Sequence, residues 1–114
     1  MKGFGEKPVP GVELVLVSPA RHAPYSGMIP GLIAGDYGWD QCHIDLAGLS
    51  AFARARFLDD RVVGIDPLAR RVALGAGGAP LEYDLLSIDI GSTPAGAEVA
   101  GVCDHAVNVK PTEG

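Results

Sequence analysis

The sequence predicts an α/β fold, and three stretches predict it. Residues 13–18, Glu13-Leu14-Val15-Leu16-Val17-Ser18, are almost continuously apolar and largely branched, the pattern of a strand buried on both faces of a parallel sheet. Residues 45–56 carry Leu46, Leu49, Phe52 and Ala53 on one helical stripe, with Asp45 as the capping residue. Residues 56–83 switch to alternating patterns separated by turns, an antiparallel meander.

Composition bounds the rest. A chain of 114 residues builds one domain with one modest core. Hydrophobic residues make up 47% and charged residues 20%, which excludes a disordered chain. A net charge of −5 with no basic run argues against nucleic acid as a partner. The apolar runs fall far short of the roughly 18 residues a membrane-spanning helix needs, and no signal-peptide h-region is visible. The two cysteines, Cys42 and Cys103, lie far apart, which fits a reduced, cytoplasmic setting better than a disulfide-stapled secreted domain. Glycine and proline reach about 22% of the chain against an average of roughly 12%, so the regular elements should be short.

Along the chain, Pro8, Pro10 and Gly11 keep residues 1–11 turn-rich. Pro19 ends the first strand, because proline cannot donate to a ladder. Residues 19–31 form a long loop of the kind that often carries function. Residues 28–34 allow one or two helical turns before Gly35-Asp36-Tyr37-Gly38 breaks them. The capped helix is expected to run to about Arg56, with Arg54 and Arg56 at the negative end of its dipole. A strand over residues 56–63, a turn at residues 66–70, a return strand from Arg71 to Leu74 and a turn at residues 75–78 make the meander. Residues 84–90 read as another buried strand, stopped by Gly91-Ser92-Thr93-Pro94. Residues 95–104 read as a small-residue loop and residues 105–109 as a last short strand.

The residues then carry a resemblance. Tyr83-Asp84-Leu85-Leu86-Ser87-Ile88-Asp89-Ile90-Gly91-Ser92-Thr93-Pro94 is similar to the segment Tyr-Asp-x-Leu-(apolar)-(apolar)-Ala-Thr-Gly-Ser-x-Pro of FAD-dependent pyridine nucleotide-disulfide oxidoreductases. Residues 57–72, with Gly64-Ile65-Asp66-Pro67, resemble the meander that precedes it in that family. Residues 19–31 resemble a loop in a subgroup near type II NADH dehydrogenases and sulfide:quinone reductases, some members of which are fused to selenophosphate synthetase. The resemblance spans residues 8–111. It implies a partial FAD/NAD(P)-binding, Rossmann-like domain with an inserted antiparallel meander. It also implies a complete protein that oxidises NAD(P)H or a similar donor through FAD.

Departures from the family pattern are specific. Such domains open with a strand and Gly-x-Gly-x-x-Gly, whose helix N-terminus holds the FAD pyrophosphate. Gly3 and Gly5 have the first spacing, but Pro8 stands where the third glycine belongs. The family's late Gly-Asp motif and its nicotinamide domain have no counterpart. Ser18 occupies the neighbourhood of the expected ribose-binding acid, and Asp89 takes the place of the family's Ala. The chain is therefore expected to be one partial FAD-binding domain over residues 1–114. It should be inactive alone and lack the glycine-loop unit, the NAD domain and the C-terminal domain. The alternatives are a stand-alone binding or scaffold domain that pairs with another chain, and an inactive truncated product.

The resemblance assigns candidate cofactor contacts to Ser18, Pro19, Arg21, Tyr25, Val62 and Gly91. Ser18, Pro19 and Arg21 would line an adenosine site, with Arg21 stacking on adenine or meeting phosphate; the alternative is a strand end with a solvated arginine. Val62 either offers its backbone to adenine or fills the core. Tyr25, with Ser26, approaches the isoalloxazine ring or forms a surface turn. Gly91 either lets the backbone near the pyrophosphate or is a turn glycine. No catalytic residue is assigned. Metal is not expected: Cys42-His43 diverge on a strand and Cys103-x-His105 is a lone pair, whereas structural zinc needs four ligands. Asp84 and Asp89, five apart on a strand, would lie on opposite faces and make no acid–base pair, with Asp89 free to meet an arginine. Two central strands without their shared neighbour would leave edges exposed, so a homo-oligomer is expected. No transmembrane segment is expected, while peripheral membrane contact of the complete protein stays open.

Overall fold

The computed structural model describes residues 1–91, 95–96 and 99–106. The chain starts with helix α1 (Lys2–Glu6), which stops at Lys7 because Pro8 and Pro10 cannot continue it. Strand β1 (Val15–Ser18) follows, half-buried along its whole length. It ends where expected, at Pro19.

Between β1 and its partner strand runs a long connection with its own small framework. Strand β2 (His22–Pro24) leads into a 3-10 turn at Ser26–Met28 and helix α2 (Ile29–Ala34), which closes on Gly35 in the left-handed conformation, φ 84°. Helix α3 (Trp39–Cys42) starts at Gly38, whose N–H donates to Gln41 Oε1 at 2.9 Å. Strand β3 (His43–Asp45) pairs antiparallel with β2, His22 opposite Asp45 and Pro24 opposite His43. The connection closes with helix α4 (Leu46–Phe52).

Asp45 caps α4 as its sequence position predicts, accepting the N–H of Gly48 at 3.1 Å. The helix stops at Phe52, short of Arg56. Arg54 turns left-handed at φ 55°, and the N–H of Ala55 closes on the carbonyl of Ser50 at 2.8 Å. Arg56 thereby enters strand β4 (Arg56–Asp59), which pairs parallel with β1 in the register Val15–Arg56 to Ser18–Asp59.

The strand predicted over residues 56–63 is two strands. Asp60 breaks it: its N–H donates to the carbonyl of Ser18 at 3.1 Å, and its carboxylate takes the N–H of Arg61 at 2.7 Å. Strand β5 (Val62–Asp66) then turns back through Asp66, whose carboxylate accepts the N–H groups of Leu68 and Ala69 at 3.0 and 2.8 Å. Strands β6 (Arg71–Leu74) and β7 (Leu81–Glu82) complete a three-stranded antiparallel meander in the order β5-β6-β7. Arg71 and Glu82, paired across it, form an ion pair at 2.6 Å.

Residues 84–90 are not the buried strand their pattern predicts. They take no regular structure; Leu85 is 92% exposed and Ile90 90%. A strand forms only against a neighbour, and no backbone in the described structure pairs with this stretch. Asp84 and Asp89 thus have no strand faces to occupy, and Asp89 makes none of the ion pairs found. His105 ends a short helix, α5 (Val102–His105), rather than opening a strand; residues 107–109 lie outside the described residues.

The architecture is a mixture of helix and strand in three small sheets: β1-β4, β2-β3 and β5-β6-β7. Among the described residues the buried set is small, comprising Cys42, Ser50, Ala53 and Val72. Helix α1 lies on α4 at Gly5, where a Cβ would run into the Phe52 ring.

Candidate functional site

At the C-terminal ends of the parallel pair Ser18 and Asp59 lie opposite each other. In open α/β sheets ligands bind beyond the carboxyl ends of parallel strands. The Ser18 hydroxyl donates to the carbonyl of Ala20 at 2.8 Å and accepts its N–H at 3.3 Å. This small turn carries Pro19 outward and leads to Arg21. Asp59 is exposed at the same edge. Asp60 ties the edge to the meander through the N–H of Ala76 at 3.2 Å, so Val62 begins β5 two residues beyond the Ser18 contact.

The arginine is held sideways. Arg21 Nε stands 3.8 Å from Asp45 Oδ1, and the Arg21 carbonyl accepts the N–H of Leu46 at 2.9 Å. The Asp45 carboxyl is pulled below the ordinary carboxylate range by the Gly48 N–H it accepts, helped by the charges of Arg21 and His22 against a partial desolvation. Tyr25 sits further along the connection. Its N–H donates to the Cys42 carbonyl at 2.8 Å, and its side chain is 58% exposed. Val62 is 39% exposed. Gly91 adopts φ 72°, a conformation that favours glycine, with open space where a Cβ would stand.

The structure thus brings Ser18, Pro19, Arg21 and Val62 to one end of the β1-β4 pair. Tyr25 belongs to the β2-β3 framework, and Gly91 makes no hydrogen bond with any of the others. Sequence reasoning missed Asp59. Its signal was present, a carboxylate at the end of an apolar run, but its place beside Ser18 follows only from the parallel register.

An FAD can be tested against this edge. Its adenosine end finds acceptors there: the exposed Asp59 carboxylate and the Ser18 hydroxyl, which is also bonded to the backbone of Ala20. Its pyrophosphate does not fit. The sequence has no Gly-x-Gly-x-x-Gly, α1 is a five-residue helix, and Asp59 and Asp60 make the edge acidic. Among the described residues no group of three or more His, Cys, Asp or Glu is arranged to hold a metal ion. Cys42 is fully buried, and His43 stacks on Trp39 with ring centroids 3.4 Å apart. No helix among the described residues is long and apolar enough to cross a membrane.

No family model and no curated protein matches this chain. Among solved structures the chain is similar to the sulfide:quinone oxidoreductase of the hyperthermophilic bacterium Aquifex aeolicus, at 24% identity and a TM-score of 0.60 over 73% of the chain. The fold is shared with a portion of that enzyme. The chain spans 19% of its length.

Proposed function

We propose that this chain is a portion of the FAD-binding domain of a flavin-dependent oxidoreductase and supplies the adenosine side of the cofactor site. One observation carries the reading: a parallel strand pair runs into an antiparallel meander, in a chain whose fold over 73% of its length is similar to part of a sulfide:quinone oxidoreductase. Ser18 and Asp59 would accept hydrogen bonds from ribose hydroxyls, Pro19 and Val62 would flank the adenine, and Arg21 would stack on it or meet phosphate. Tyr25 would lie toward the isoalloxazine and Gly91 near the pyrophosphate. A glycine-loop unit from elsewhere must bind the phosphates, and a nicotinamide domain must deliver the hydride of NAD(P)H. FAD held there would supply two-electron redox chemistry.

The test is to isolate the protein from its own host and extract it for flavin. Stoichiometric FAD is expected, accompanied in the same protein or complex by a Gly-x-Gly-x-x-Gly segment. A native protein free of flavin overturns the reading.

A second reading is a binding domain that pairs with another chain. The exposed apolar stretch over residues 85–90 favours it.

A further inference from the structure

Arg21 is tied to the start of α4 by both its backbone and its side chain. Its carbonyl accepts the N–H of Leu46 at 2.9 Å, and its Nε stands 3.8 Å from Asp45 Oδ1. The next residue, His22, lies opposite Asp45 in the β2-β3 ladder, so the arginine and the carboxylate keep a fixed register. Asp45 is itself anchored, because its Oδ1 accepts the N–H of Gly48 at 3.1 Å. That bond first, and the charge of Arg21 after it, hold the Asp45 carboxyl below the ordinary carboxylate range, so it stands as an anion beside the guanidinium. The pair is made through Nε. Neither Nη amino group of Arg21 donates a hydrogen bond among the described residues, and the side chain is 66% exposed.

An exposed ion pair of this length adds little to stability. Its effect is on direction. A free arginine side chain samples many rotamers, and a ligand that captures it must order it at a cost in affinity. We propose that Asp45 is a positioning residue: it holds the Arg21 guanidinium by Nε and leaves the Nη groups for a ligand at the Ser18–Asp59 edge. Asp45 itself stays out of contact with that ligand. The inference rests on the proposed adenosine site and extends it from the residues that touch the cofactor to one that aims them.

A double-mutant cycle on the native protein is the test, read by fluorescence titration of its apoprotein with FAD. Asp45→Asn and Asp45→Ser both keep a capping side chain on α4 and remove the carboxylate. Each is combined with Arg21→Ala. Arg21→Ala is expected to weaken FAD binding about tenfold, the loss of a charged donor. Each Asp45 variant should weaken it about threefold, the cost of ordering one long side chain. In the Arg21→Ala background the Asp45 variants should change nothing further, because no guanidinium is left to hold. A loss that acts through the cap or the helix would appear equally in both backgrounds, and that result overturns the proposal. So does full affinity in both Asp45 variants while Arg21→Ala binds weakly. FAD binding unchanged by Arg21→Ala overturns it too but leaves the flavin reading standing, whereas a native protein without flavin ends both.

Discussion

Ser18 stands opposite Asp59 at the carboxyl ends of two parallel strands, and the carbonyl of Ser18 takes the N–H of the next residue, Asp60, at 3.1 Å. This contact splits the run over residues 56–63 into β4 and β5. It also leaves an exposed carboxylate beside a hydroxyl at the edge proposed to meet a ribose.

On the proposed reading, Asp59→Asn in the native protein should weaken FAD binding roughly tenfold, the loss of one charge-assisted hydrogen bond. Asp36→Asn, exposed after α2, should leave affinity unchanged. Fluorescence titration of the apoprotein measures both. Equal affinity for wild type and Asp59→Asn removes Asp59 from the site.

The chain of residues 1–114 by itself should purify colourless and show no NAD(P)H oxidation above free flavin when FAD and a quinone or dye are added. The proposed adenosine edge lies within the chain, but the sequence has no Gly-x-Gly-x-x-Gly to cradle the pyrophosphate, which anchors the cofactor in this kind of fold. A visible spectrum and a dye-reduction assay decide it, and a yellow preparation or turnover above background goes against it.

Asp45 should make the fold acid-sensitive. Its folded carboxyl titrates below its ordinary value, chiefly because it accepts the Gly48 N–H. A depressed folded value means the stabilisation is present above the unfolded value, near pH 4, and is lost as pH falls through the folded one. Asp45→Asn keeps a capping side chain but cannot titrate. Thermal melts should show wild type the more stable above about pH 4, with the two curves converging in stronger acid. Parallel curves across that range would exclude the role.

Gly5 and Gly3 should respond differently to alanine. A Cβ on Gly5 would run into the Phe52 ring, whereas at Gly3 nothing stands within 4 Å. Gly5→Ala must displace the ring, which is half-exposed and can swing aside, and so loses part of the gain that alanine brings in a helix. Gly3→Ala gains about 0.5–1 kcal/mol from helix propensity. Denaturant melts compare them; equal effects at the two positions would show that α1 does not dock on Phe52.

What was legible in the sequence is what local chemistry decides. The apolar run before Pro19, the Asp45 cap, the helical turns closed by Gly35 and the Val72–Leu74 return strand each depend on residues close in the chain. What was not legible depends on partners far away. Residues 84–90 have strand composition, yet a strand needs a neighbour to bond. The β2-β3 pairing joins two three-residue segments nearly twenty residues apart, one of them holding Pro24, and carries no local signal. For the site, Ser18, Pro19 and Arg21 could be read from the end of a strand, while Asp59 joins them only through the parallel register.

The adenosine edge is tested most directly by photolabelling the native protein with an FAD analogue that carries an azide on its adenine ring, followed by peptide mapping. The account predicts label on the turn that holds Ser18, Pro19 and Arg21 or on the Val62 end of β5, competed away by unmodified FAD. Label confined to other peptides, or insensitive to FAD, would contradict it.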